Sequence, residues 1–137
     1  MTSSASGDPI VMQSRDYTCG PAALATVLKS LGIPCSESEL AELAGTDESG
    51  TTMYGLIVAA ITKGLKARGL KMDVSQLRKN HIVFVRFGES CHYSVIRSVN
   101  GRTVTLADPS LGEIKMKREI FSRIFTGNVL VVERPDD

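Results

Sequence analysis

The feature that most limits what this chain can fold into is a change of hydrophobic period near residue 81. Before it, Ala23, Val27 and Leu31 recur four apart and are joined by Leu24 and Leu28, which is the stripe of a buried helix face. After it the pattern alternates. Val83, Val85 and Phe87 fall on one face of a run and Ile82, Phe84 and Arg86 on the other, as in a β-strand. Helices followed by an antiparallel meander predict an α+β fold with its two parts segregated. The helical part is expected at about 10–80 and the sheet part at about 81–134. A ligand site is then expected in the crevice between them.

The turn chemistry sharpens this outline. Pro21 is tolerated only in the first turn of a helix, so the helix over 19–31 must begin close to Cys19, with Asp16 or Thr18 as its cap. Gly32 and Pro34 end it. A second helix over 36–44 carries the capping box Ser36…Glu39 and stops at Gly45. A third, over 52–65, is apolar on nearly every side and is expected to be well buried. Residues 74–79 read as short helical turns. Strands are expected at 81–87, 91–99, 102–107, 113–116 and 129–133, with a short helix at 118–125. Asn100-Gly101 is a strong hairpin turn between the second and third strands.

At 137 residues the chain has the length of a single domain, here 10–137 after a small polar lead at 1–9 that is expected to be disordered. A net charge of +1 and no long basic run argue against nucleic acid. No apolar stretch is long enough to span a membrane, and Met1 to Asp8 lack the apolar core of a signal peptide. A cytoplasmic location follows, for a free chain or for a domain of something larger. Three cysteines (Cys19, Cys35 and Cys91) make no disulfide framework. With no C-x-x-C pair and with His81 and His92 away from metal-ligand spacing, no metal or cofactor is expected. No G-x-x-x-x-G-K-[ST] occurs, so this domain should not bind ATP.

The chemistry concentrates around Cys19. A thiol at a helix start feels the positive end of the helix dipole and unpaired N–H groups, which favour the thiolate. The same N–H groups can hold an oxyanion, and Gly20 is expected to let a substrate approach the backbone. His92 opens the second strand just after a turn, where it can face the helix start as the base. His81, opening the first strand, is the rival. Asp108 closes the third strand, and the Asn100-Gly101 turn falls about midway between His92 and Asp108. The two should be near cross-strand neighbours, with the carboxylate orienting the imidazole. Gln13, six residues before Cys19, can supply a second oxyanion hydrogen bond from its amide. Cys91 should point to the face of its strand opposite to His92.

The run Gln13-Ser14-Arg15-Asp16-Tyr17-Thr18-Cys19-Gly20-Pro21-Ala22-Ala23 resembles the nucleophile segment of the bacteriocin-processing cysteine peptidases. These are papain-like domains at the N-terminus of peptide exporters of the ATP-binding-cassette type, which remove double-glycine leader peptides. His92-Tyr93-Ser94-Val95-Ile96 resembles their histidine strand, and Ala107-Asp108-Pro109-Ser110-Leu111-Gly112 their Asp-Pro-x-x-Gly turn. Residues 121–132, with Phe125-Thr126-Gly127, resemble their closing helix and strand. Ser94 departs from the pattern, standing where an apolar strand residue is expected. The resemblance implies a papain-like fold, with Cys19 as nucleophile, His92 as base, Asp108 as orienter and Gln13 beside the Cys19 N–H in the oxyanion hole. It implies cleavage of a leader peptide after Gly-Gly or Gly-Ala, with a membrane peptide exporter as partner. Two alternatives remain at this point: a silent module that docks peptides for an exporter, and an acyl or peptidyl transferase or amidase on the same fold.

Overall fold

The computed structural model describes residues 8–136. In chain order its elements are α1 (Cys19–Ser30), α2 (Glu37–Ala44), α3 (Met53–Thr62), β1 (Lys66–Lys71), a 3-10 turn (Val74–Gln76), β2 (Ile82–Phe87), β3 (Ser90–Val99), β4 (Thr103–Asp108), β5 (Gly112–Lys117), α4 (Arg118–Ile124) and β6 (Phe125–Glu133). The six strands form one antiparallel sheet in the order β1-β6-β2-β3-β4-β5. This is the expected α+β class. Among the described residues no helix is long and apolar enough to cross a membrane.

The sheet separates two cores. On one side α1 buries Ala23, Leu24, Val27 and Leu28 with Tyr93, Val95 and Ala107. On the other, Phe121 of α4 closes over Val83, Val85, Ile96 and Leu106. The alternation of β3 is thus used on both faces, Tyr93 and Val95 towards α1 and Ile96 towards α4. The turn at 100–103 is held by Asn100, whose Oδ1 accepts the N–H groups of Arg102 and Thr103, each at 2.8 Å.

Two expectations change. The division at residue 81 is too late: β1 already belongs to the sheet, paired along its whole length with β6 from Lys66↔Glu133 to Lys71↔Asn128. The third helix is also less buried than its composition suggests. It packs through Gly55, Leu56, Ala59 and Ala60, leaving Tyr54, Val58 and Ile61 exposed on its other face.

The close helix contact sets the choice of glycine at 55. A Cβ built there would lie 2.2 Å from the Ala44 carbonyl oxygen. Gly55→Ala should therefore force α2 and α3 apart and cost about 2 kcal/mol or more. A thermal melt within a degree or two of wild type would contradict this.

The expected disordered lead lies outside the described residues for 1–7. Asp8 and Pro9, by contrast, are held. Arg97 Nη2 donates to the Asp8 carbonyl at 2.9 Å and to the Pro9 carbonyl at 3.3 Å, and Lys79 pairs with the Asp8 carboxylate at 2.9 Å. From there the chain runs as a strap over α1. The Val11 N–H donates to Thr26 Oγ1 at 2.9 Å, and the Gln13 N–H donates to the Pro109 carbonyl at 2.9 Å. The strap thereby delivers Gln13 to the turn that follows β4.

Candidate active site

α1 begins at Cys19 without a side-chain cap. Thr18 holds the cap position, but its Oγ1 is occupied by Arg15, accepting the Arg15 N–H and donating to the Arg15 carbonyl, each at 3.1 Å. This corrects the expectation of a capped start. The consequence is that the first-turn N–H groups are left for something else. The N–H groups of Gly20 and Tyr93 and the His92 ring are the neighbours that favour the Cys19 thiolate.

Gly20 does not open the backbone to a substrate, as the sequence had implied. A Cβ at this position would meet Thr51 Cβ at 3.2 Å, and Leu56 Cδ1 and Tyr93 Cδ2 at 3.4 Å each. The missing side chain lets α1 seat closely on β3 and α3, and so brings the Tyr93 N–H to the thiol.

His92, at the start of β3, joins Cys19 to Asp108. His92 Nε2 lies 2.9 Å from Asp108 Oδ1, which leaves Nδ1 as the nitrogen free to face the thiol. The register explains the meeting. Val95 is opposite Ala107, so Asp108 comes opposite Ser94, and His92 lies one pleat further on the same face. A bulge between Ile96 and Ser98 takes up one residue of β3; without it Asp108 would come opposite Val95, on the face away from His92. His81 is not part of this cluster. It stands four residues along β2 from Val85, the partner of His92, a separation of about 13 Å. Its Nδ1 accepts the Arg78 N–H at 3.0 Å.

The Asp108 carboxylate is only 4% exposed and accepts four hydrogen bonds. Oδ1 takes His92 and the Ser94 hydroxyl, the latter at 2.8 Å, and Oδ2 takes the N–H groups of Ser110 and Leu111 at 3.0 and 3.1 Å. Burial pushes this carboxyl up, but the hydrogen bonds from His92, Ser94 and Ser110 outweigh it and hold the pKa below the ordinary 3.8. Burial likewise opposes charge on His92, yet Asp108 and Cys19 raise its pKa to about 9. Burial also pushes the Cys19 thiol up. The His92 ring and the Tyr93 and Gly20 N–H groups overcome this and bring it below the ordinary 9.0. The three shifts agree with a thiolate, an imidazolium and a carboxylate in line.

Gln13 sits beside this line with its amide largely committed. Its Oε1 accepts the Ser110 hydroxyl at 2.8 Å, and its Nε2 donates to the Arg15 carbonyl at 2.8 Å. A primary amide has two N–H donors, so one remains. Gln13, His92, Asp108 and Cys91 line one depression of about 440 Å³. Cys91, an exposed thiol, is on the rim of the same depression.

Sequence alone assigned no role to Ser94, Ser110 or the Tyr93 N–H. Ser94 carried a signal, a hydroxyl two residues from His92, hence on its face, where an apolar strand residue was expected. Ser110 carried a weaker one, since an Asp at the start of a turn commonly accepts the N–H groups two and three residues on. Nothing in the sequence marked a backbone N–H of β3 as a neighbour of Cys19. Among the described residues no group of three or more His, Cys, Asp or Glu could hold a metal ion.

Compared with known proteins, the chain matches the Peptidase C39 family over residues 8–137. It is 72% identical over 137 residues to an uncharacterized protein of Methanothermobacter thermautotrophicus, covering 100% of this chain and 96% of that one. It is 31% identical over 134 residues to the lactococcin-G-processing and transport ATP-binding protein LagD of Lactococcus lactis subsp. lactis, covering 92% of this chain but 19% of that protein. Among solved structures it is similar to the peptidase domain of Streptococcus ComA, a bi-functional ABC transporter, with a TM-score of 0.87, 30% identity and coverage of 93% of this chain and 98% of that one. It is also similar to a double glycine motif protease from an AMS/PCAT transporter in complex with the leader peptide, with a TM-score of 0.84, 28% identity and coverage of 92% and 91%.

Proposed function

This chain belongs to the Peptidase C39 family, and on that premise we propose that it is a cysteine peptidase that cuts a leader peptide after a Gly-Gly or Gly-Ala pair. The observation that carries this reading is the 2.9 Å pair of His92 with Asp108 beside a thiol that stands at an uncapped helix start and whose pKa His92 lowers. The peptide specificity rests on the similarity to the leader-bound transporter protease. That similarity, with the likeness to ComA, also makes a membrane peptide exporter the expected partner, with the domain on the cytoplasmic side.

In this mechanism the Cys19 thiolate attacks the carbonyl carbon that precedes the cut bond. The oxyanion that forms is held by the Cys19 N–H and by the free N–H of Gln13. The His92 imidazolium gives its proton to the departing amine, the C–N bond breaks, and a thioester to Cys19 remains. Neutral His92 then takes a proton from water, and the hydroxide adds to the thioester. The tetrahedral intermediate collapses with Cys19 leaving as thiolate and one water proton on His92, and the leader departs as a carboxylic acid that gives its proton to solvent. Asp108 stabilises the imidazolium and fixes its tautomer throughout.

The test is incubation with a synthetic peptide in which Gly-Gly joins a leader to a following segment. Cleavage after the second glycine by wild type and none by Cys19→Ala is the expected result. Cleavage unaffected by the substitution would refute the reading.

The hydrogen bond from Ser110 to Gln13 gives a second expectation. Ser110→Ala frees the Gln13 amide to turn, and kcat should fall about tenfold with KM little changed, because the lost contact matters to the oxyanion and not to the bound peptide. Ser110→Thr, which keeps the hydroxyl, should restore kcat. A rise in KM alone would mean that Ser110 serves peptide binding instead.

A further inference from the structure

Two large apolar side chains flank the His92–Asp108 pair without joining either core. Phe87, at the end of β2, is 47% exposed, and Leu111, in the turn after β4, is 68% exposed. Both belong to the wall of the depression that His92, Asp108 and Cys91 also line. Each is anchored where it stands. The Leu111 N–H is tied to Asp108 Oδ2 at 3.1 Å, and Phe87 is paired with Ser90 across the β2–β3 hairpin. Single exposed apolar residues need no explanation, but two that converge on one concave wall are arranged to meet a ligand.

The chemistry of the proposed cleavage says which part of a peptide comes there. The departing amine takes its proton from His92, so it must lie within hydrogen-bond reach of the imidazole. That amine belongs to the residue just after the cut bond. This residue therefore lies on the His92 side of Cys19. The depression has His92 and Asp108 in its wall and Cys19 outside it. We propose that it is the subsite for the residue following the cut bond, that Phe87 and Leu111 select an apolar side chain there, and that the exposed Asp16 in the same wall selects against an acidic one. This inference rests on the peptidase reading and names the substrate feature that its site prefers.

Five internally quenched peptides test it. They share one leader and a Gly-Gly pair and differ only in the next residue, which is Leu, Phe, Ala, Gly or Asp. Wild type should cleave the Leu and Phe peptides with kcat/KM about tenfold above the Gly peptide and further above the Asp peptide. In the double variant Phe87→Ser with Leu111→Ser, the ratio of Leu to Gly should fall close to one. Because the ratio compares two peptides on one preparation, loss of folded protein cancels. Equal kcat/KM for all five in wild type, or an unchanged ratio in the double variant, overturns the subsite and leaves the peptidase reading standing. Cleavage of none of the five, with wild type indistinguishable from Cys19→Ala, overturns that reading and the subsite with it.

Discussion

Replacing His92 with alanine is expected to lower leader-peptide cleavage on the order of 10⁴-fold or more, and to abolish the fast alkylation of Cys19 below pH 8. The first effect follows from losing the proton donor to the departing amine. The second follows from the balance at the thiol. Burial pushes Cys19 up, and the His92 ring is the largest of the influences that bring it down. Without the ring, burial is opposed only by the N–H groups of Tyr93 and Gly20, and the pKa returns towards 9.0. Two internal references are at hand. Cys35 is raised by burial with no imidazole beside it, and Cys91 is exposed. Iodoacetamide labelling at each cysteine, followed by mass spectrometry across pH, should show Cys19 alone reacting fast at neutral pH in wild type. The sign of the upper limit also follows. The thiolate persists as pH rises, but the imidazolium is lost through about pH 9, so cleavage should decline there while alkylation does not. If Cys19 keeps its advantage in His92→Ala, the helix start and the two N–H groups hold the thiolate by themselves, and the relay through His92 is wrong.

The parts of the fold legible in the sequence were those fixed by short-range rules. Pro21 placed the start of α1 beside Cys19, Ser36 capped α2 by accepting the Glu39 N–H, and Asn100-Gly101 folded β3 onto β4. The last of these brought His92 and Asp108 together before any catalytic argument was made. What escaped depended on neighbours distant in the chain. β1 reads Lys-Ala-Arg-Gly-Leu-Lys with almost every residue exposed, so it shows no alternation. Its apolar complement is supplied by β6, and its Lys66, Arg68 and Lys71 are the charges that keep a sheet edge from pairing further. The open face of α3 escaped for the reverse reason. Tyr54, Val58 and Ile61 are as apolar as the buried face, and only the small residues Gly55, Ala59 and Ala60 marked where another element comes close. Ser94 looked like a departure from an apolar strand. Its 2.8 Å bond to Asp108 shows it to be one of the four donors that keep a buried carboxylate ionised.

Asp108→Asn should be as damaging at neutral pH as loss of His92, although it removes no atom the fold needs. The N–H groups of Ser110 and Leu111 point at the Oδ2 position and require an oxygen there. The amide nitrogen of asparagine must then take the Oδ1 position, facing His92 Nε2 and the Ser94 hydroxyl. The hydroxyl can rotate and accept from it. The ring can accept only if Nε2 is unprotonated, which moves the proton to Nδ1, the side of the thiol. Such an imidazole cannot take a proton from Cys19, and because it is buried without its carboxylate its pKa falls from about 9. Cleavage at pH 7 is expected to drop on the order of 10⁴-fold, and Cys19 alkylation should shift to higher pH as in His92→Ala. Thermal unfolding should stay close to wild type, because every hydrogen bond at residue 108 keeps a partner. A folded Asp108→Asn protein that retains cleavage within tenfold of wild type would mean that the tautomer of His92 is set elsewhere. The orienting role would then have to leave Asp108, while Cys19 and His92 kept theirs.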